Sequence, residues 1–496
     1  MSGRELPGGW TIELDPGARR TDGGTVLVGG NPLRVLRLSE AGARWLDGVA
    51  RGDALSSAAS SRRLAQRLVD AGLARPVPPG ARGEVGADLA VVIPVRDDPA
   101  GLSRTLASLR AVATAATVVV DDASPHAVVL DDHAEGVTVV RNDRRLGPAG
   151  ARERGWRATD APLIAFVDAD IAVDEDGVQG SGTRQPGWLE PLLAHFDDPD
   201  VGAVAPRVAC SQGTAPAWLA AYEEVRSPLD MGPRGASVRP GGTVGYVPTA
   251  LLVARRSALE SVGGFDTTME VGEDVDLVWR LLAAGWRVHY EPAVVVHHPI
   301  RPALGAWARQ RFRYGTSAAT LAARHGGMVA PLRISGWSAL AWAAVLAGRP
   351  VLGVGVGAGT TLALVPKLRA LRHPPAEAMR IAGVGNLRAG EAAADALWRV
   401  WWPVALASAL LWRRSRPALA AAAVVPPVVE WRRRRPGLGA LGYGLLRRAD
   451  DAAYGAGVWA GCIRARSMRA LLPSPTGPVA PPERVVQPAG TGRDYE

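Results

Sequence analysis

Lysine is almost absent from the 496-residue chain. Lys367 is the only one, so the formal charge of +9 and the pI near 10.3 rest on arginine. Cysteine is nearly as scarce. Cys210 and Cys462 are too few for a disulfide framework or a cysteine metal site, and the reducing cytosol is the expected compartment. The first residues, "MSGRELPGGWTIELD", lack an apolar core of signal-peptide length. No uncharged apolar run reaches the roughly 20 residues that a spanning helix usually needs. There is no internal repeat, and no RRM or zinc-finger signature accompanies the basic charge. That charge is concentrated late, in "WRRSR" at 412–416, "WRRRR" at 431–435 and Arg447-Arg448. Its distribution points to an anionic membrane surface rather than to nucleic acid.

The length requires more than one core, and the composition changes along the chain accordingly. Residues 1–80 form a small first unit. "WTIELDPGARRTDGGTVLVGG" alternates as a hairpin turning at Asp22-Gly23-Gly24, and Ser39 is placed to cap a helix carrying Ala43, Leu46 and Val49. A second helix, "SRRLAQRLVDAGL", and a strand-like "ARPVPP" complete a winged-helix-like module. Residues 81–88 read as a linker. From Leu89 to about 325, apolar strands ("LAVVIPV", "ATVVVDDAS", "VTVVRND", "PLIAFVDAD") alternate with helical segments, the pattern of an α/β domain with a mostly parallel sheet. Residues 326–472 carry short apolar runs at 334–348, 351–366, 400–412 and 417–429. Trp398, Trp401, Trp402, Trp412 and Trp431 stand at the edges of the later runs, where interfacial anchors would be. The clustering of the runs, the basic residues beside them and the tryptophans point to a membrane-associated helical region; buried or interfacial helices are the alternative. Residues 473–496 are expected to be disordered.

Ligands of open α/β sheets sit beyond the carboxyl ends of the strands, and three strands here end in acids. They are "PVRDD" (Pro94 to Asp98), "DDAS" (Asp121, Asp122) and "DAD" (Asp168, Asp170). One such acid is ordinarily a turn or a cap. Three on consecutive strands converge on one edge and repel one another unless positive charge arrives, so a divalent cation with a diphosphate fits the field. A fourth acidic stretch, "VGEDVDLVWR", opens a helix with Glu273, Asp274 and Asp276 before a buried stripe of Leu277, Val278, Leu281 and Leu282.

These segments, in this order, resemble family 2 glycosyltransferases of the GT-A (Rossmann-like) fold over residues 88–315. The resemblance implies an inverting hexosyltransferase that uses a UDP-sugar and Mg²⁺ or Mn²⁺. It assigns Pro94, Val95, Asp97, Asp122, Asp168 and Ala169 to the donor nucleotide, with Asp122 accepting the uracil N3–H. It assigns Asp170, Asp168 and His297 to the metal, and Asp274 to the general base, with Glu273 orienting the acceptor or the base. Val95 and Asp97 depart from the Thr and the Asn or other polar residue that are common in the family. Arg152 either assists the leaving group or faces solvent. His297 and His298 are either a metal ligand or structural. Asp276 reads as a helix N-terminal charge favoured by the macrodipole. Gln310-x-x-Arg313-Tyr314 resembles the Q-x-x-R-W acceptor motif of processive β-glycan synthases, with Tyr in place of Trp; an arginine-rich amphipathic helix lying on a membrane is the alternative.

The first unit resembles PqqD-like domains, which bind a peptide or a partner protein of a biosynthetic pathway at an edge strand. Such a head, a family 2 transferase and an apolar, arginine-rich tail together resemble the glycosyltransferases of mycofactocin systems. That likeness implies transfer of glucose from UDP-glucose to a peptide-derived redox cofactor precursor, in β-1,4-linked chains, at the cytoplasmic face of the cell membrane. A polysaccharide synthase or lipid-acceptor transferase of the same family, and a non-catalytic peptide-binding scaffold, are the alternatives.

Overall fold

The structure, a computed structural model, describes residues 5–30, 33–80, 88–109, 116–129, 136–173, 188–369 and 371–476. Most of the expected linker (81–87) and most of the expected disordered tail (477–496) lie outside the described residues.

The N-terminal unit contains β1 (Thr11–Leu14), β2 (Arg19–Thr21), β3 (Val26–Gly29), β4 (Arg34–Arg37), α1 (Glu40–Ala50), α2 (Ala59–Asp70) and β5 (Ala74–Val77). The expected hairpin is divided. The turn at Asp22–Gly24 joins β2 to β3, whereas β1 pairs antiparallel with β5. The Ser39 side chain accepts the Gly42 N–H and caps α1, whose Ala43, Leu46 and Val49 are buried. Leu46 and Val49 meet Leu6, Trp10, Leu68 and Leu73 in a core of their own.

The central domain follows as β6 (Leu89–Val95), α3 (Pro99–Leu109), β7 (Ala116–Asp121), β8 (Val137–Arg141), α4 (Gly147–Arg157), β9 (Leu163–Val167), β10 (Ala172–Val173), α5 (Glu190–Leu193), β11 (Val201–Ser211), α6 (Ala217–Arg226), β12 (Ala236–Ser237), β13 (Leu251–Arg255), α7 (Arg256–Val262), α8 (Glu273–Ala284) and β14 (Arg287–Pro299). The sheet runs β10–β14–β11–β13–β9–β6–β7–β8, with β12 on β14. β6 is parallel to β7 and β9, β7 to β8, and β11 to β14; β13 runs antiparallel to its two neighbours. Both faces of β6 and β9 are covered, which is why they read as continuous apolar runs. On one face Ala149 and Trp156 of α4 and Leu277, Val278 and Leu281 of α8 pack on Val92 and Phe166. On the other, Leu102 and Leu109 of α3 and Leu192 of α5 pack on Ile93 and Val167.

The remainder is helical: α9 (Leu304–His325), β15 (Arg333–Ile334), α10 (Gly336–Leu346), α11 (Pro350–Leu364), α12 (Pro374–Ala378), α13 (Val384–Arg399), α14 (Trp402–Leu411), α15 (Arg416–Arg434), α16 (Ala440–Arg464) and β16 (Ser474–Pro475). β16 pairs with β15, so the segment expected to be disordered from 473 begins as a strand. Glycine sets the packing of α16 against α9. A Cβ on Gly457 or Gly461 would run into the carbonyl oxygens of Phe312 and Thr316, and one on Gly315 into that of Tyr454. α11 continues through a 3₁₀ turn, so that Pro350–Leu368 is the one described helix long and apolar enough to cross a membrane, by length and composition. It is largely uncovered, as are Trp337, Leu340, Leu410 and Leu411 on neighbouring helices. The tryptophans expected as anchors are all at least partly exposed. The indoles of Trp398, Trp401 and Trp431 donate to backbone carbonyls inside the protein, and Trp412 is the most exposed of the five.

The N-terminal unit is bound to both other regions. Arg75 reaches Glu291 at 3.4 Å and Arg19 pairs with Glu377 at 2.6 Å, while Val26 and Val28 pack on Leu371.

Candidate active site

The acids at the ends of β6, β7 and β9 open into one cleft of about 1390 Å³, whose opposite wall is the start of α8 and the cleft-facing side of α9. Pro94, Val95, Asp97, Asp122, Arg152, Asp168, Ala169, Asp170, Glu273, Asp274, Gln310, Arg313 and Tyr314 all line it.

Asp97 sits at φ +56°, a left-handed conformation held by its N–H donating to the Ser124 hydroxyl. The buried Asp122 carboxylate accepts from Asn142 Nδ2 (2.8 Å), Leu146 N–H (2.7 Å) and Gly147 N–H (2.8 Å). It thereby secures the entry to α4. Beside it, the fully buried Asp121 accepts from Ser124, Val128 and Arg141 and is held below the usual carboxylate range: burial opposes ionisation, but these hydrogen bonds outweigh it.

Arg152 does not face solvent. It lies at i+3 from Ala149 and four residues before Trp156, on the sheet-facing stripe of α4, and is buried. Its Nη2 donates to Asp168 at 2.5 Å and its Nη1 to Glu273 at 2.8 Å, so one guanidinium ties the end of β9 to the start of α8. Burial by itself would lower its pKa, but the charges of Asp168 and Glu273 more than reverse this. The spacing of Arg152 with Ala149 and Trp156 was the sequence signal that could have placed it.

Gly272 turns the chain into α8 at φ +82°, where a Cβ would also press on Ser317 and Leu321 of α9. The next two residues diverge. Glu273 points inward to Arg152. Asp274 stays partly open to the cleft, with one oxygen accepting the Val275 N–H at 2.8 Å. Burial in the cleft, then the charge of Glu273, raises Asp274 to a pKa of about 7. Asp276 lies in the first turn of α8, as expected of a helix N-terminal charge, and also serves as an anchor between helices. It is fully buried and accepts from His325 Nε2 (2.8 Å), Arg280 (2.7 Å) and Arg324 (3.3 Å), joining α8 to α9. Burial alone would raise its pKa, but these three groups bring it down to about 2.

The histidine expectation changes residue. His298, not His297, lines the cleft, and its Nε2 lies 3.5 Å from Asp170 Oδ2. Neighbouring strand residues face opposite sides of a sheet, so only one of the pair can do so. Arg301 is 3.7 Å from the same oxygen. Burial, and the nearby charge of Asp168, raise Asp170 above the usual carboxylate range despite His298 and Arg301. Among the described residues there is no group of three or more His, Cys, Asp or Glu that could hold a metal by itself. What the site offers is two carboxylates and one imidazole on a cleft wall, a donor set that fits a hard divalent cation if phosphate oxygens complete the shell.

On α9, Gln310 Nε2 donates to the Tyr314 hydroxyl at 3.0 Å across one helical turn. Nothing in the local sequence singles out Arg311. It is buried, pairs with Glu223, stands 3.3 Å from Asp450 and carries α9 against α6 and α16.

Residues 164–413 match the model of "Glycosyl transferase family group 2", and residues 90–180 that of "Glycosyl transferase family 2". A "Pre-mycofactocin glycosyltransferase" of Mycobacterium tuberculosis (strain ATCC 25618 / H37Rv) is 41% identical over 496 aligned residues, covering 95% of this chain and 99% of the relative. A poly-β-1,6-N-acetyl-D-glucosamine synthase of Staphylococcus aureus (strain COL) is 26% identical over 170 residues, 34% of this chain and 38% of that one. Among solved structures, a mannosyltransferase from Pyrobaculum calidifontis bound to GDP-Man and Mn²⁺ aligns at a TM-score of 0.42 and 17% identity, over 78% of this chain and 90% of that chain. With a relative of that identity along nearly its whole length and family models over most of its catalytic and helical regions, the chain belongs to the family 2 glycosyltransferases.

Proposed function

We propose that the protein is an inverting, metal-assisted hexosyltransferase that moves glucose from UDP-glucose to a peptide-derived redox cofactor precursor, the mycofactocin precursor, and extends it as a β-1,4-linked oligosaccharide. The single observation that carries the acceptor is the near end-to-end relative named for that precursor. The chemistry rests on Asp274, a carboxylate with a pKa of about 7 facing the same cleft as the acids of β6, β7 and β9.

Asp274 takes the proton of the acceptor hydroxyl as its oxygen attacks the sugar C1 from the side opposite UDP. One base without a protein nucleophile inverts the anomeric centre. The Arg152 clamp holds Glu273, and with it the start of α8 that carries Asp274, and ties both to Asp168 on the donor side. Pro94, Val95, Asp97, Asp122 and Ala169 border the nucleotide. Asp168, Asp170 and His298, the last in place of His297, would hold Mg²⁺ or Mn²⁺, which supplies neutralising charge for the departing diphosphate. Gln310, Arg313 and Tyr314 receive the acceptor.

The reading extends to location. The uncovered apolar side chains of α10, α11 and α14, with Arg413, Arg414 and Arg416 beside them, support attachment to the cytoplasmic face of the membrane. β4, an edge strand of the PqqD-like unit, borders a groove of about 690 Å³ with Arg34, Arg63 and Arg67 along it, which supports a peptide or partner protein there. The polysaccharide-synthase reading has the weaker support, since that relative aligns over about a third of each chain.

Deleting the gene and profiling small molecules by mass spectrometry tests the acceptor. Loss of oligoglycosylated cofactor with accumulation of the bare precursor is expected; an unchanged glycosylated pool would overturn the assignment.

A further inference from the structure

The segment between α6 and β13, residues 227–250, reaches the cleft twice. Ser227 to Asp230 line it near the start of the segment, and Gly241, Gly242, Gly245 and Tyr246 line it near the end. The two ends meet there, since the Tyr246 hydroxyl donates to the Pro228 carbonyl at 3.4 Å. Burial, then the charge of Asp274, raises the Tyr246 phenol above its ordinary pKa, so the ring lies near the proposed base. The Trp279 indole donates to the Gly245 carbonyl at 2.8 Å and ties the same loop to α8, the helix that carries Asp274.

Away from the cleft, the middle of the segment rests on the N-terminal unit. β12 pairs with β14, and the residues on either side of β12 meet that unit. A Cβ on Gly235 would run into the guanidinium of Arg75, which therefore lies directly on the backbone there. Arg239 reaches the other way: its Nη1 donates to the Asp70 carbonyl at 2.8 Å and its Nη2 to that of Val69. Both carbonyls belong to the last turn of α2, where a helix presents partial negative charge and needs donors from outside its own ladder. Burial, and the cations of Arg34 and Arg287, lower the Arg239 pKa despite Asp70 and Asp15, so the end of α2 is what makes its charge tolerable. The turn toward the cleft starts at this residue. Arg239 N–H donates to the Val244 carbonyl at 3.0 Å and Gly242 N–H to the Arg239 carbonyl at 2.8 Å. Between them Pro240 and Gly241, the latter at φ +75°, have the order of a type II turn. A displacement of Arg239 therefore moves the glycines that wall the cleft.

We propose that Arg239 is a positioning residue for the transfer reaction: it clips the cleft wall at 239–246 to the end of α2, so that the N-terminal unit supports the wall beside Asp274 from behind. The donor side is carried by β6, β7 and β9 and does not depend on that contact. The N-terminal unit is then part of the architecture that makes transfer efficient. The proposal rests on the glycosyltransferase reading of the cleft, with Asp274 as its base.

The test compares the full-length wild type with Arg239→Ala, Arg239→Lys and Arg75→Ala. Amide hydrogen exchange reads the loop, and calorimetric titration reads the binding of UDP with Mn²⁺. UDP release from UDP-glucose in the presence of the mycofactocin precursor reads kcat per folded molecule. Arg239→Ala is expected to speed exchange over residues 239–246 about tenfold and to lower kcat about tenfold. UDP affinity and the exchange of β6, β7 and β9 stay the same. Arg239→Lys, which still donates to the end of α2, restores most of both losses, and Arg75→Ala, which withdraws the second contact, acts in the same direction as Arg239→Ala. An arginine with a merely structural role would lower the denaturation midpoint and leave kcat per folded molecule unchanged, and that result overturns the proposal. So does a loss of UDP affinity as large as the loss of kcat, or a kcat that Arg239→Lys does not restore. Where Arg239→Ala does not fold, unchanged exchange and kcat in Arg75→Ala overturn it. Failure of the wild type to release UDP would instead remove the transfer reading beneath it.

Discussion

At the scale of single residues, the three acids of "EDVD" have three different environments. Glu273 neutralises Arg152, Asp274 is a cleft carboxylate, and Asp276 is a buried anchor between helices. The pKa directions of Asp274 and Asp276 separate accordingly. Asp274 must be ionised to accept a proton, and its pKa is about 7. Transfer at subsaturating acceptor is therefore expected to fall about tenfold per pH unit below 7 and to level off above it. Asp274→Asn should cost about 10²–10⁴-fold in turnover while leaving UDP affinity nearly intact; a pH–rate profile of wild type and a single-turnover assay of the variant check both. Asp276 behaves in the opposite sense. Its folded pKa of about 2 lies below the unfolded value of about 3.9, so its stabilisation is complete above pH 4 and is lost as pH falls toward 2. Asp276→Asn leaves Arg280, Arg324 and His325 without their shared carboxylate and should cost about 3–5 kcal/mol, seen as a lowered denaturation midpoint. Turnover per folded molecule should change little, and a large loss there would give Asp276 a role in chemistry.

Elements place these residues through packing rather than through local preference. The periodicity of α8 was legible because Leu277, Val278 and Leu281 face the sheet. The strand ends were legible because parallel strands are apolar throughout and stop abruptly at their acids. Two features were not. Alternation along β14 makes His297 and His298 mutually exclusive, but only the pairing of β14 with β10 and β11 decides which one meets Asp170. Likewise the glycines of α16 read as weak helix formers, and their purpose is visible only once α9 lies against them. Gly457→Ala should therefore destabilise the protein by about 1–3 kcal/mol, because its methyl group would meet the Phe312 carbonyl. Gly359→Ala in α11, where a Cβ meets nothing, should be neutral or stabilising by up to about 1 kcal/mol. Thermal denaturation of the pair distinguishes tight packing from helix propensity; equal midpoints would contradict the seam.

For the whole molecule, the decisive property is where apolar side chains remain uncovered. Leu410 and Leu411 are 77% and 89% exposed, Trp412 adjoins them at 44%, and arginines follow directly. Triple replacement of Leu410, Leu411 and Trp412 by Ser is expected to reduce co-sedimentation with phosphatidylglycerol vesicles several-fold while UDP binding persists. Unchanged sedimentation would mean that this face is not the membrane contact. Arg75, Arg19 and Val28 attach the N-terminal unit to both the central domain and the C-terminal helices.

The order of apolar strands, their terminal acids and the buried stripe of α8 are properties of local sequence, so the sheet, the cleft and the cluster of acids followed from the sequence alone. Burial and long-range pairing are not local. The Arg152 clamp links residues 121 positions apart, the Asp276 anchor spans α8 and α9, and Tyr454 reaches the cleft from the far end of the chain. Charges are stabilised by whatever surrounds them, and only the tertiary structure determines what that is.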